Sequence, residues 1–175
     1  MNELYGMTAE FAADALAADL EDLFAGQLFQ SSAGEKRPMQ VHVNDLPVRT
    51  DNDEDRSQDA PEPYIIVRIG EGTIPEGDAA QEVQIVLVVA LYDDRPDRQG
   101  YRDLLHIIQE IAARYCKNPV IRIRPGSAGA RGGPYTVKKP IQWAIWNDTK
   151  AHPYYLGAVE FQLEIPTICP EVPFT

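Results

Sequence analysis

The stretch that decides the fold runs from residue 83 to residue 116 and divides into three parts. It begins with VQIVLVVALY (83–92), continues as DDRPDRQG (93–100) and ends with YRDLLHIIQEIAARYC (101–116). The first part is almost continuously apolar, which is typical of a central strand buried on both faces. The third part repeats apolar residues at helical spacing. We therefore predict a strand, a polar turn and an amphipathic helix that stops at Asn118-Pro119.

Three carboxylates crowd the turn between that strand and that helix, whose sequence is Asp93-Asp94-Arg95-Pro96-Asp97-Arg98. Paired carboxylates can act in catalysis or bind a cation, but the two arginines among them would neutralise a cation site. Carboxylates are also favourable near the positive N-terminal end of a helix. We therefore interpret Asp93, Asp94, Pro96 and Asp97 as a structural turn that leads into the helix and caps it.

The remaining elements follow from the spacing of apolar residues on either side of this unit. A helix is predicted for residues 8–30, with Thr8 as its N-cap. Strands are predicted for residues 41–48, 64–69, 120–124, 141–146 and 158–165, and loops for residues 31–38 and 70–80. Asn44-Asp45 is a possible turn or bulge within the first of these strands. The order of helix, strands, helix and strands indicates one α+β domain over residues 1–175. We expect an antiparallel-dominated β-sheet with two helices packed on one face.

Charge is distributed unevenly along the 175 residues, which together carry a net charge of −11. That balance argues against non-specific binding of DNA over the whole surface, because phosphates attract clustered Lys and Arg. Residues 51–62 hold six acids and one base, whereas residues 114–139 hold seven bases and no acid. We name residues 51–63 the acidic segment, which we expect to be a loop or an arm, and residues 125–134 the glycine-rich loop.

The sequence lacks the patterns of catalytic and metal-binding sites. The three histidines, His42, His106 and His152, have no metal-ligand spacing, and no Gly-x-Ser-x-Gly elbow occurs. The glycine-rich loop ends in no Gly-Lys-Ser/Thr and precedes no predicted helix, so it does not resemble a phosphate-binding loop. We predict no catalytic, cofactor-binding or metal-binding residue, and a protein that is not an enzyme. A small enzyme or nucleotide-binding protein that uses residues 125–139 stays open as an alternative.

The cellular compartment is predicted from three further features of the sequence. No run reaches the roughly 18 apolar residues that a membrane span needs, and the N-terminus lacks the basic start of a signal peptide. We therefore expect a protein that is made and used in a cytosol, without a membrane partner. The two cysteines, Cys116 and Cys169, have no metal-ligand spacing and are predicted to be reduced structural thiols.

Aromatic residues concentrate in the last third of the chain, where they form the set Trp143, Trp146, Tyr154, Tyr155 and Phe161. Aromatics beside a basic stretch can stack on nucleotides. At strand spacing they are more often core or interface residues, which is the interpretation we favour.

The combined pattern resembles the tail-terminator, or tail-completion, proteins of long-tailed bacteriophages and prophages. The resemblance covers about residues 64–166, and the acidic segment and the glycine-rich loop look long for that family. The residues that carry it are Tyr92-Asp93-Asp94-Arg95-Pro96-Asp97-Arg98-Gln99-Gly100-Tyr101-Arg102-Asp103 with the helix that follows, Pro140-Ile141-Gln142-Trp143, Pro153-Tyr154-Tyr155-Leu156-Gly157, and Val159-Glu160-Phe161-Gln162-Leu163-Glu164-Ile165-Pro166.

The resemblance implies a structural virion protein of the tail and neck, assembled in the host cytoplasm. Proteins of that family form a hexameric ring that caps the head-proximal end of the tail tube and ends tube polymerisation. The implied partners are further copies of the same chain, the tail tube protein and a head-completion or neck protein. DNA would pass through the lumen without specific binding, and no cofactor is implied. The alternative within this setting is another neck or tail component, such as a head-completion or tube protein.

A ring requires a heterologous interface, in which two different patches of each subunit meet. The separation of acidic and basic segments suits such an interface. We hypothesise that basic residues contact acidic residues of a neighbouring subunit or of the tube, and that the negative net charge keeps the lumen from holding phosphates. The basic candidates are Arg114, Arg122, Arg124, Arg131, Lys138 and Lys139, and the acidic candidates are Asp53, Glu54 and Asp55.

Overall fold

The computed structural model describes residues 8–47, 61–121, 134–146 and 150–168. The elements in chain order are α1 Ala9–Leu23, β1 Leu28–Gln30, β2 Lys36–Pro38, β3 Gln40–Val43, β4 Tyr64–Thr73, β5 Gln81–Tyr92, α2 Gly100–Lys117, β6 Val120–Ile121, β7 Tyr135–Ile145 and β8 Tyr154–Ile165. The predicted strand, turn and helix correspond to β5, the turn 93–99 and α2.

Six strands form one sheet in the order β3-β4-β5-β8-β7-β6. The pair β3–β4 is parallel, and the pairs β4–β5, β5–β8, β8–β7 and β7–β6 are antiparallel. The strands β1 and β2 form a separate antiparallel ribbon. The antiparallel-dominated sheet of the predicted α+β single domain is therefore confirmed.

Both helices pack on one face of the sheet, which we call the inner face. The helix α1 lies against β3 and β4, and α2 lies against β8, β5 and β7. Inward side chains from both helices and from the sheet form one buried cluster. Burying this much apolar surface supplies the main driving force for folding. The predicted placement of two helices on one face is confirmed.

The central strand β5 is less completely buried than its apolar sequence predicts. Its inner-face residues are buried, and they are Val83, Ile85, Leu87, Val89 and Leu91. On the opposite, outer face, Val86 and Val88 stay half-buried. The prediction of a central position is thus confirmed, but the prediction of burial on both faces holds only in part. No helix or strand within the described ranges packs on the outer face as α1 and α2 pack on the inner one.

The first helix begins as predicted but ends early. Thr8 caps it, since its Oγ1 accepts a hydrogen bond from the Phe11 backbone N–H at 3.4 Å. The predicted end at residue 30 is wrong, because the helix stops at Leu23 and Gly26 adopts a left-handed backbone with φ of +82°. Glycine takes this conformation without steric cost. The chain then turns into β1, which takes the last residues of the predicted helix, and the predicted loop 31–38 contains the hairpin turn and β2.

Other strand boundaries differ by several residues from those predicted. The strand predicted for residues 41–48 is only Gln40–Val43. It ends at the possible turn that the sequence indicates at Asn44-Asp45, where Asn44 has φ of +70°. The predicted loop 70–80 is shorter because β4 continues to Thr73. The strand β7 begins at Tyr135, whereas its predicted start was residue 141. Long ladders against β8 and β5 extend these strands through polar residues that periodicity alone excludes.

Candidate assembly surfaces

The turn 93–99 is held together by an ion pair between Asp93 and Arg95. Arg95 donates from Nε to Asp93 Oδ1 at 2.8 Å and from a terminal nitrogen to Asp93 Oδ2 at 2.6 Å. The same guanidinium reaches Asp103 Oδ2 at 3.0 Å, in the first turn of α2. The hydrogen bonds from Arg95 hold the pKa of the Asp93 carboxyl below its usual range. The Asp93 side chain is nearly fully buried, so the pair occupies a partly desolvated position.

The other carboxylates of the turn also have partners within the molecule. Asp94 accepts a hydrogen bond from Gln30 Nε2 at 2.7 Å, and Asp97 accepts one from the Gln99 backbone N–H at 3.1 Å. The predicted structural turn is therefore what these residues form. The predicted capping is wrong in detail, because Gln99 is the N-cap and makes no side-chain capping hydrogen bond. Among the described residues, no group of His, Cys, Asp or Glu is arranged to hold a metal ion.

The turn is attached to the hairpin between β7 and β8. The Asp93 backbone N–H donates to the Pro153 carbonyl at 2.9 Å. Gly100 faces the ring of Tyr155 so closely that a Cβ at this position would overlap the ring. Tyr155 also contacts Tyr101 edge to face at 4.7 Å, and its hydroxyl lies 3.0 Å from His152 Nδ1. Two segments far apart in sequence thus form one packed unit.

A groove of about 530 Å³ lies between the turn and the ribbon of β1 and β2. Its apolar lining includes Leu28 and Leu91, and its charged lining includes Asp93, Arg95 and Asp103. Asp93 and Asp103 both pair with Arg95, as described above, and Lys36 also lines the groove.

Two of the predicted basic contact residues are engaged inside the molecule. Arg114 donates to Asp19 Oδ1 at 2.9 Å, which joins α2 to α1. Lys138 Nζ lies 2.6 Å from Glu164 and 3.2 Å from Glu82 on the outer face. These two carboxylates raise the pKa of the Lys138 ammonium, with Glu164 as the larger influence. Lys139 is exposed and stays a candidate contact.

Several predicted positions lie outside the described residues. They are Arg122, Arg124, Arg131, Asp53, Glu54, Asp55 and Cys169, together with most of the acidic segment and of the glycine-rich loop. Predictions for these positions, including the nucleotide-binding alternative, stay predictions. Cys116 is a free and exposed thiol, so it is not buried as a structural thiol.

The aromatic set of the last third separates into core and surface residues. Tyr155 and Phe161 are buried, whereas Trp146 is 66% exposed, Trp143 is 49% exposed and Tyr154 is 45% exposed. Sequence alternation assigns a residue to one face of a strand, but it does not tell which faces another element will cover. Exposed Trp and Tyr are the residue types that most often anchor protein interfaces.

The exposed aromatics lie on different faces of the sheet. Trp143 is paired with Val159 and shares the inner face, at the open side of β7. Ala144 is paired with Ala158 on the outer face, and Trp146 follows two positions later on that same face. Tyr154 lies opposite Tyr92, and their rings meet edge to face at 5.5 Å. We call the outer-face residues Val88, Tyr92, Ala144, Trp146, Tyr154, Leu156 and Ala158 the apolar sheet patch.

The chain matches no protein-family model and no curated protein. Among solved structures, a protein whose title states no activity superimposes with a TM-score of 0.53 and 12% sequence identity. The match covers 94% of this chain and 99% of the other. At this identity the likeness shows a shared fold and carries no statement about function. No helix in the described ranges is long and apolar enough to cross a membrane.

Proposed function

We propose that this protein is a tail terminator of a long-tailed bacteriophage or prophage. Copies of the chain form a ring on the head-proximal end of the tail tube, end tube polymerisation and present a docking face to the neck. The ring is hexameric by resemblance to the family. The protein acts in the virion, and its contacts with the tube and neck proteins are structural and require no cofactor.

The observation that carries the proposal is the contact between two of the motifs that resemble the tail-terminator family. The 92–103 motif is hydrogen-bonded through the Asp93 N–H to Pro153 and packs through Gly100 on Tyr155. Residues 153–157 are the second motif. The two motifs are distant in sequence but pack together, as expected if their residues specify the fold of the subunit. The α+β fold itself is compatible with the role but does not select it.

The decisive experiment is electron microscopy of tails assembled without this protein. A terminator stops polymerisation, so we expect tubes much longer than normal, and supplying the wild-type chain in trans should restore the normal length. Tails of normal length in its absence would refute the proposal. A supplied Glu21→Ala variant is a matched control, because its carboxylate is exposed on α1 and its loss should leave the fold intact.

Position in the particle separates a terminator from another neck or tail component. An antibody label should mark a single site at the head-proximal end of the tube. Label along the whole tube would indicate a tube protein, and label retained on heads that lack tails would indicate a head-completion protein.

A further inference from the structure

The sheet has two very different sides, which point in opposite directions. The helices α1 and α2 cover the inner face, while the outer face carries the apolar sheet patch and has no helix or strand of the described chain packed on it. An apolar sheet face is normally buried against another layer of helices or strands. Trp146 and Tyr154 are exposed within this patch. The outer face therefore has the character of an interface.

Charge on and around this outer face is predominantly negative. Its acids are Glu82, Glu160 and Glu164. Asp94 and Glu62 lie near Tyr92: burial raises the pKa of the Tyr92 hydroxyl, and these two carboxylates raise it further. Its bases are Arg68 and Lys138, and Lys138 is paired with Glu82 and Glu164. An occupant of this face should therefore combine an apolar surface with positive charge.

The solvent-facing side of α2 has that combination. Its exposed residues are Arg102, Leu105, His106, Gln109, Ala113, Cys116 and Lys117, and none of them is acidic. Leu105 is 38% exposed in the N-terminal third of this side. Of the acids of the same helix, Asp103 pairs with Arg95, and Glu110 accepts a hydrogen bond from Gln27 and lies 3.8 Å from His106 Nε2. By contrast, α1 carries five acids and no base, so it would be repelled.

The two surfaces also fit together in length. The 18 residues of α2 span about 27 Å, and the 12 residues of β5 span about 40 Å. The patch takes up about 16 Å of β5, at residues 88–92, so a helix laid along the sheet covers the patch and extends over the charged part of the outer face. They lie on opposite sides of the same sheet, so one molecule cannot bring its own α2 onto its own outer face. Two copies can, and the pair still has one free helix side and one free sheet patch.

We propose that the exposed side of α2 of one copy docks on the apolar sheet patch of the next copy. The contact is heterologous, because two different surfaces meet, and repeated contacts of this kind close into a ring or extend as a filament. The choice of a second copy as the occupant rests on the ring of the proposed function, together with the complementary charge of the two surfaces. The helix of the neighbour supplies the missing second layer over β5, β8 and β7.

The test uses two variants that each remove one side of the contact. Leu105→Asp places a carboxylate on the helix side, and Trp146→Asp places one in the sheet patch. In sedimentation velocity of the purified full chain, the wild type should form assemblies larger than a pair. Each variant alone should be monomeric or associate at least about 30-fold more weakly, as expected for the loss of an interface anchor.

Mixing the two variants tests the direction of the contact. The Leu105→Asp copy keeps an intact sheet patch and the Trp146→Asp copy keeps an intact helix, so a mixture retains one functional contact. We expect a 1:1 pair with twice the 19.5 kDa mass of one chain, and no larger species. Failure of the mixture to pair, while both variants are folded by circular dichroism, would overturn the proposal.

Two further variants serve as matched controls. Trp143→Asp alters a tryptophan of β7, three residues before Trp146 but on the inner face, and Ile74→Asp alters an apolar residue that is 54% exposed outside both surfaces. Both should assemble like the wild type. A wild type that stays monomeric at millimolar concentration, or controls as defective as the test variants, would also reject this interface. The two proposals can fail separately. If this interface is rejected but tails made without the protein are overlong, the terminator role is still supported. If the interface is confirmed but those tails have normal length, only the terminator role is rejected.

Discussion

At the scale of single residues, the ion pair of Asp93 and Arg95 gives the turn its stability. The pKa of Asp93 in the folded protein is lower than its unfolded value of 3.8, so its contribution is present above that pH. The contribution is lost as the pH falls from the unfolded value through the lower folded value. We therefore expect the carboxylate to matter at neutral pH and to matter little in strong acid.

The variant Asp93→Asn tests this statement. Removing the charge from a buried, hydrogen-bonded carboxylate should lower the free energy of unfolding by about 2 kcal/mol at pH 7. Urea denaturation at pH 7 and near pH 3 should show the difference from wild type shrinking in acid. The matched change Asp94→Asn, at an exposed carboxylate, should have a much smaller effect. An equal loss at both pH values would show that packing, and not charge, is responsible.

A second residue-scale prediction concerns the close approach of Gly100 and Tyr155. The added methyl group of Gly100→Ala would overlap the Tyr155 ring, so the ring or the helix must move. We expect a loss of about 1–3 kcal/mol, the usual cost of overpacking. Gly72→Ala is the control, since a Cβ there meets Val83 Cγ2 at an ordinary 3.6 Å. The measurement is thermal or urea unfolding, and equal stability of the two variants would contradict the packing described here.

At the scale of elements, Asp19 joins the two helices. It accepts hydrogen bonds from Arg114 and from the Tyr115 hydroxyl, both at 2.9 Å, and burial raises the pKa of that hydroxyl further out of the physiological range. Asp19→Ala should leave the buried hydroxyl without this acceptor and cost about 1–3 kcal/mol. Glu21→Ala, an exposed acid of the same helix, should change stability far less. A double-mutant cycle with Tyr115→Phe should give a clear coupling energy, and additive effects would disprove the link.

The elements also show how far the sequence could predict the structure. Periodicity found α2, β5 and β8 because each is amphipathic or apolar over many residues and forms long contacts with the others. It overextended α1, because Leu28 and Phe29 continue the apolar spacing into the ribbon although Gly26 redirects the chain. It also left open the roles of Trp143 and Trp146, since exposure depends on which face a helix covers. Which face a helix covers is a property of the tertiary structure, so the local sequence pattern does not reveal it.

At the scale of the whole molecule, self-association should depend on salt. The proposed contact joins the positive side of α2 to a negative sheet face, and screening of such charges increases as ionic strength rises. Raising sodium chloride from 50 to 500 mM should weaken assembly, as measured by sedimentation velocity. An Arg102→Gln variant should show a shallower salt dependence than the wild type. Assembly that strengthens with salt would indicate a contact driven by apolar burial alone.

The pairing of β5 with β8 has a consequence for how fast the subunit forms. The side chains of Gln84 and Glu160, on neighbouring strands in the middle of the sheet, hydrogen-bond across 76 positions of sequence. The hairpin of β4 and β5 therefore joins the hairpin of β7 and β8 only when a long stretch of chain closes, which slows folding to the millisecond-to-second range. The helix α2 is local and can form early, but it contacts β8 as well as β5, so part of its packing surface is missing until β8 arrives. Until then the edge of β5 that pairs with β8 is open, and newly made chains are most prone to aggregate in that interval.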